Sequence, residues 1–473
     1  MRAKCGACAS SVSGLAGDFR GMASVGHNWC MERHQDSVLR QVEEQGIDYI
    51  RLWFSDVVGR LKSVVISPHD LDKAFDEGIG IDGSAIEGLT RSYESDMLLR
   101  PDPATFRVMG APRGGETGVM ICDVYTPDSE PAASDPRRVL RDALARAEAK
   151  GLEFLTHPEV EFYLFDRRYE PGVPLEPVDE GGYFDYVQRV DGSRFRREAM
   201  QELERMNIHV EYSHHEGGPG QNEIDLRYAD ALTTADNLLT LRAVVKGIAL
   251  AEGKFASFMP KPMIEHPGNG MHTHLSLFQN GTNIFHEPGA EYGLSRTARH
   301  FIAGLLVHAR EYSILTNQFV NSYKRLWGEQ EAPSYIVWGH NNRSALVRVP
   351  FHKPTKGTSS RVEFRGLDSA ANPYLAFAAL LGAGLKGIEE EYPLPEGAED
   401  TVWELTERER QAMGIEPLPS DLVRAIESFE HSELMADILG EQVFEYILRD
   451  KRREWEGYRR QVTEAELRAT FDI

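Results

Sequence analysis

Three short segments of this chain alternate ionisable with apolar residues, and that pattern dictates strands with one polar face each. In PEVEFYLF, Glu159 and Glu161 point one way while Val160 and Phe162 point the other, because side chains in a strand repeat every second residue. MHTHLSL places His272 and His274 on one face, and RVEFRG does the same for Arg361, Glu363 and Arg365. One such strand is ordinarily a solvated face carrying chance like charges. Three strands of this kind form a constellation. A fourth segment, HHEGGPGQNEID, joins them. Its Glu216 and Glu223 are separated by three glycines and a proline, a filling that neither helix nor strand favours, so the chain turns sharply between the two carboxylates.

Carboxylates held side by side repel unless a cation lies between them. Five glutamates with one histidine make an oxygen-dominated ligand set, which suits Mg²⁺ or Mn²⁺ better than zinc. Arg325, Arg343, Arg348, Arg361 and Arg365 lie in NSYKRLWGEQEAP, NNRSALVRVP and SSRVEFRG. Arginine grips phosphate and carboxylate bidentately, so metal with arginine points to phosphoryl transfer involving a carboxylate. Taken singly, each of these arginines would be read as a surface ion pair.

The net charge of −22 excludes nucleic acid as an expected partner, since phosphates would be repelled. The longest nearly apolar run, Tyr374 to Leu385, is too short to span a bilayer and reads as a buried helix. No basic stretch followed by an apolar one opens the chain, so a cytoplasmic protein is expected. Four cysteines in 473 residues rule out a disulfide framework. Cys5, Cys8, Cys30 and His27 have zinc-ligand chemistry, but their Gly/Ala/Ser-rich surroundings lack any apolar period. Residues 1–30 are expected to be a disordered extension.

From Met31 the pattern turns helical, and IDYIRLWFSDVVGRLKSVVIS then alternates like a hairpin with Gly59 at its turn. SPHDLDKAFDEG reads as a short capped helix. A Pro/Ser-rich connector ending at residue 134 marks a boundary, after which DPRRVLRDALARAEAKG is an amphipathic helix. The expectation is an α+β protein, with a small sheet domain over residues 31–134 and a large mixed domain over 135–473. GIGIDG matches a dinucleotide-binding fingerprint, but a helix precedes it and a loop follows, the wrong context for a βαβ unit.

With DGSAIEG, ESDM, FMPKP, NSYKRL with EAP, and AANPYL added to the segments above, the chain resembles the type I glutamine synthetases over residues 31–473. The resemblance implies a β-grasp domain followed by a catalytic domain whose strands line a funnel. It implies a dodecamer of two hexameric rings, each active site closed by the neighbour's small domain. Two or more Mg²⁺ or Mn²⁺ ions are implied, one on Glu161, Glu216 and Glu223 and another on Glu159, His272 and Glu363. ATP would lie near Tyr228, His274, Ser276, Arg348 and Arg361, and glutamate on Arg325, Arg365 and the backbone at Gly268. Arg343 would face the phosphoryl group, and Glu331 on a mobile flap would cover the intermediate and take a proton. Asp82 from the neighbour would hold ammonium, with Asp96, Tyr183 and Glu216 nearby.

Three positions depart from the family pattern. Ala85 replaces a serine in the ammonium loop, Gly217 stands where valine is common, and Trp403 stands where some relatives carry an adenylylated tyrosine. Control by that modification is therefore not expected. Ala85 and Gly217 border the amine pocket, and the chain also looks similar to actinobacterial paralogues that join glutamate to polyamines. The expected activity is glutamine synthesis from glutamate, ammonia and ATP. A γ-glutamylpolyamine synthetase is the alternative, and a silent scaffold a third reading that the intact charged set opposes.

Overall fold

The computed structural model describes residues 34–88, 96–110, 116–186, 190–328, 332–340, 342–351, 357–398 and 402–473. The N-terminal extension with its three cysteines, and Glu331, lie outside them. A helix over 34–45 (α1) leads into strands β1 (Tyr49–Ser55) and β2 (Leu61–Ile66), the expected hairpin. Ser67 caps a 3₁₀ turn over Pro68–Asp70, its hydroxyl accepting from the His69 amide, and α2 (Leu71–Glu77) follows without a side-chain cap of its own. Strands β3 (Ile79–Asp82), β4 (Asp96–Pro101), β5 (Arg107–Gly110) and β6 (Glu116–Tyr125) complete a six-stranded sheet ordered β2-β1-β6-β4-β3, with β5 also against β6. The GIGIDG segment is thus part of an antiparallel pair and no nucleotide-binding turn.

The large domain opens with α3 (Pro136–Glu148), started by Asp135, whose carboxylate accepts from the Arg137 amide, with proline at the first helical position. Its principal sheet is ordered β14-β15-β16-β12-β7-β9-β8. The strands are β7 (Glu153–Phe165), β8 (Val210–His215), β9 (Gln221–Leu226), β10 (Ala229–Asp230), β11 (Phe255–Ser257), β12 (Thr273–Gln279), β13 (Thr282–Asn283), β14 (Trp338–His340), β15 (Val347–Val349) and β16 (Val362–Phe364). Helices α4 (Val190–Arg205), α5 (Ala231–Ala251), α6 (Arg296–Val307), α7 (Ala309–Thr316), α8 (Val320–Gly328) and α9 (Pro373–Glu389) pack around it. The apolar run seen in the sequence is α9, capped by Asn372 and buried on nearly every side. Burying each of its large side chains, such as Phe377 and Leu381, contributes about 1.5–3 kcal/mol.

Two buried polar contacts help to fasten the small sheet to this core, beside the packing of Trp53 and Ile121 into it. The β1–β2 turn rests on the start of α9: the Asn372 side-chain amide donates to the carbonyls of Asp56 and Val57, and Gln318 donates to that of Val58. Gly59 is required there twice over, by its φ of +82° and because a Cβ would come within 3.0 Å of Asn372. The second fastening is Arg137 of α3. Its guanidinium is 2% exposed and binds Asp102 and Asp123 of the small domain together with Asp236 of α5.

Candidate active site

The polar face of the large sheet is assembled by register. Glu161 lies opposite Glu223 and Glu159 opposite Asp225 across β7 and β9, and His214 of β8 lies opposite Glu223. On the other side of β7, His157 faces His274 of β12, which in turn faces Glu363 of β16, and Arg348 of β15 follows. The alternation legible in three separate segments is thus one continuous face. Strand β16 is shorter than RVEFRG suggests, so Arg361 and Arg365 flank it instead of lying within it.

The sharp turn carrying Glu216 is held from behind. The Nδ1–H of His215 donates to the Glu216 carbonyl at 2.7 Å, and its Nε2 meets Asp179 at 2.8 Å. Burial opposes protonation of His215, but the Asp179 hydrogen bond outweighs it and raises its pKa. Asp179 also accepts from the amides of Gly181 and Gly220. Gln221 binds the Gly218 amide and reaches the Gly268 carbonyl at 2.9 Å, closing the loop onto the opposite wall.

A cavity of about 440 Å³ opens over this face, lined by Glu159, Glu161, Glu216, Glu223, Glu363, His214 and His272 with Arg325, Arg343, Arg348 and Arg365. Gly268 forms part of its floor. A Cβ there would meet the Pro260 carbonyl at 2.4 Å and the Arg325 stem at 2.9 Å, so only glycine lets the buried arginine pass so close. Glu363, fully buried, is clamped by Arg348 at 2.5 Å and Arg365 at 2.6 Å. Arg325 donates to the main-chain carbonyl of Arg365, whose own guanidinium is held by Glu363 and the Arg343 carbonyl.

Among the described residues, two groups bring ligand atoms within 4.8 Å of one another: Glu159, His272 and Glu363, and His214, Glu216 and Glu223. The first is the expected trio. The second holds two of the three residues expected at the other metal, with His214 in the place given to Glu161. Glu161 lies in the same cavity, accepting from the Gly270 amide at 2.8 Å. The charge balance fits divalent cations. Burial, then Glu216, pushes the Glu161 carboxyl well up, and burial with Glu161 and Glu216 does the same to Glu223. Burial also works on Glu159, but hydrogen bonds from His272 and His274 overcome it and hold that carboxyl well below the usual range. The first group therefore stays anionic, and the second strains against itself without a cation. Carboxylates with a single imidazole in each group are donors for hard or borderline divalent metals.

The other expected residues divide by position. Tyr183 lines the cavity, its ring edge-on to His214 at 5.6 Å. His274, Ser276 and Arg361 continue the same face beyond Glu159, and Tyr228 stands exposed just before β10. Asp82 and Asp96 are cross-strand partners in the small sheet and are absent from this chain's own cavity. Trp403 belongs to the cavity wall. The side chain of Ala85 lies outside the described residues. At Gly217 a Cβ would meet the Pro267 ring at 3.3 Å and nothing else within 4 Å, so the position is tight on that one side.

His157, Tyr212, His214 and Asp225 of this face escaped the sequence reading. His157 is two residues before Glu159, so the alternation itself signals it. For His214 the adjacent pair was visible, but which ring faces inward depends on a register shift at Glu211 in β8.

Known proteins resemble this chain over both of its domains. Residues 46–127 match the glutamine synthetase β-grasp domain, and residues 133–470 match the glutamine synthetase catalytic domain. A protein named glutamine synthetase from Mycolicibacterium smegmatis is 55% identical over 93% of this chain and 99% of its own length. One of the same name from Methanosarcina mazei is 43% identical over 92% of this chain and 96% of its own. A solved structure described as a GmaS/ADP complex superposes with a TM-score of 0.82 at 32% identity, covering 92% of this chain and 99% of the other. With both domains matched and relatives aligned nearly end to end, this chain belongs to the glutamine synthetase family.

Proposed function

We propose that the protein is an ATP-dependent glutamate–ammonia ligase that activates the γ-carboxylate of glutamate as an acyl phosphate. The observation that carries this reading is the coexistence, in one cavity, of five glutamates with four arginines. Its carboxylates crowd one another at Glu161, Glu216 and Glu223, where a divalent cation would relieve the repulsion, and the arginines beside them suit anionic substrates. The relatives' shared name, and the ADP in the GmaS structure, support the same reading.

Glu159, His272 and Glu363 would hold one Mg²⁺ or Mn²⁺, and Glu216 and Glu223 with Glu161 and His214 a second. Bound there, the metals would neutralise charge on the transferring phosphoryl group. Arg325 and Arg365, both buried, bind the carboxylates of glutamate, with the Gly268 backbone alongside. Arg361, Arg348, His274, Ser276 and Tyr228 take ATP on the outer part of the face. Arg343, exposed at the cavity wall, meets the γ-phosphoryl group, and such preorganised charge lowers the barrier without reorganising. Ammonia then displaces phosphate from the acyl phosphate, giving glutamine. Glu331 takes a proton and shields the intermediate. Asp82 and Asp96, absent from their own chain's cavity, would serve a neighbour's, next to its Tyr183, in a dodecamer of two hexameric rings. The small domain is assigned to residues 31–134 and the catalytic domain to 135–473. No helix of the described residues is long and apolar enough to cross a membrane, and we assign the enzyme to the cytoplasm.

The test is phosphate release from ATP, Mg²⁺ and glutamate with ammonium, putrescine, spermine or ethanolamine as acceptor. Release with ammonium is expected. Release only with the larger amines would replace ammonia by a polyamine-type acceptor. No release with any amine would leave a silent scaffold.

A further inference from the structure

His157 has no part in the chemistry so far, yet it sits in the middle of the polar face. It lies opposite His274 in the β7–β12 register, and the two rings stack with centroids 5.1 Å apart and planes inclined by 30°. Behind this stack runs a directed chain of hydrogen bonds. The Nε–H of Arg361 donates to His274 Nδ1 at 3.2 Å, so the proton of His274 is on Nε2, which donates to Glu159 at 2.8 Å. His274 therefore joins the outer arginine to a carboxylate of the first metal group, and its tautomer is set by its partners. The free face of its ring is covered by His157, which is only 13% exposed and whose Nε2 lies 3.5 Å from the Glu211 carboxylate.

We propose that His157 is a positioning residue for nucleotide binding: stacked on His274, it fixes the ring that aims Arg361 at the phosphates and ties that arginine to Glu159. The inference rests on the reading above that Arg361 and His274 face the nucleotide. Glu211 lies on the other side of His157, 3.5 Å from its Nε2, at the irregularity in β8.

The experiment is equilibrium titration of the full-length protein with ADP in the presence of Mg²⁺, with steady-state kinetics alongside. An aromatic stack of this kind supports a roughly threefold to tenfold preference for the aligned ring. His157→Ala should weaken ADP binding and raise the KM for ATP by about that factor, leaving the KM for glutamate unchanged. His157→Phe, which keeps the stack and lacks the nitrogens, should restore both to within about twofold. If the alanine variant does not fold, His157→Gln offers the same comparison with Phe. Three results would overturn the proposal: wild-type ADP affinity in the variant without a ring, failure of Phe to rescue, or an equal rise in the KM for glutamate. Arg361→Ala separates the layers. If it binds ADP normally, the nucleotide-site reading falls; if it binds weakly while His157→Ala binds normally, only this inference falls.

Discussion

Glu223→Gln is expected to lower turnover by roughly a thousandfold, the effect of withdrawing a few kcal/mol of transition-state stabilisation, and yet to make the metal-free protein more stable. The second half follows from the charges around it. Glu223 is buried opposite Glu161, and burial together with Glu161, Glu216 and Glu159 pushes its carboxyl well above the ordinary value. A carboxyl whose folded pKa is raised binds more protons folded than unfolded. Stability is then greatest below the unfolded pKa and is lost as pH rises toward the folded one. The uncharged amide escapes that loss and can still meet His214, which lies 2.9 Å from Glu223. The melting temperature of the metal-free variant should exceed wild type by about 1–3 °C near neutral pH, and the gap should widen as pH rises from about 5. Mg²⁺ should raise the melting temperature of wild type more than that of the variant. Thermal melts at several pH values, with and without Mg²⁺, check all of this; a variant less stable than wild type without metal would contradict the charge account.

Arg137→Met is expected to cost about 3–5 kcal/mol of stability, the typical result of removing one partner from a buried ionic cluster. The guanidinium donates to Asp236 at 2.8 and 3.0 Å, to Asp102 at 2.9 Å and to Asp123 at 2.5 Å. Tyr374 also donates to Asp236 at 2.6 Å, so helices α3, α5 and α9 and the small sheet meet at one charge. Arg141 reaches Asp102 and Asp123 but is partly exposed and does not reach Asp236. Without Arg137 the small sheet keeps the hairpin contact at Asn372, the Gly110–Glu202 and Glu87–Tyr446 hydrogen bonds and the packing of Trp53 and Ile121, but the weakened join should still give way before the large domain unfolds. Urea denaturation followed by tryptophan fluorescence should show a lower first midpoint. A loss below about 1 kcal/mol would mean that the cluster contributes little net stability.

How much of this was legible in the residues varies with the range of the interaction that decides it. Gly59 between two alternating runs announced its hairpin, and the apolar run behind Asn372 and Pro373 announced α9, because both are decided locally. The length of β7 was not legible. Its Pro158 reads as a strand's first residue, whereas the strand begins at Glu153. The proline is tolerated because the Glu159 amide points to His272, so the amide that proline lacks would point to the other edge. There, pairing passes from β10 at Thr156 to β9 at Glu159. The site was readable as a set of carboxylates and arginines because alternation is a local property. The pairing of His214 with Glu216 and Glu223 was not, since it depends on how β8 slips past β9. The Arg137 cluster was equally hidden: Asp236 lies 99 residues along the chain from its partner, and nothing local marks either one.

The central claim is that this cavity activates the γ-carboxylate of glutamate by phosphorylation before the amine attacks. It is tested most directly with glutamate carrying ¹⁸O in that carboxylate, supplied with ATP, Mg²⁺ and ammonium, the released phosphate being examined by mass spectrometry. An acyl phosphate must hand one carboxylate oxygen to phosphate when the amine displaces it, so each phosphate released with glutamine should carry one ¹⁸O. Glutamine formed with unlabelled phosphate would contradict the account.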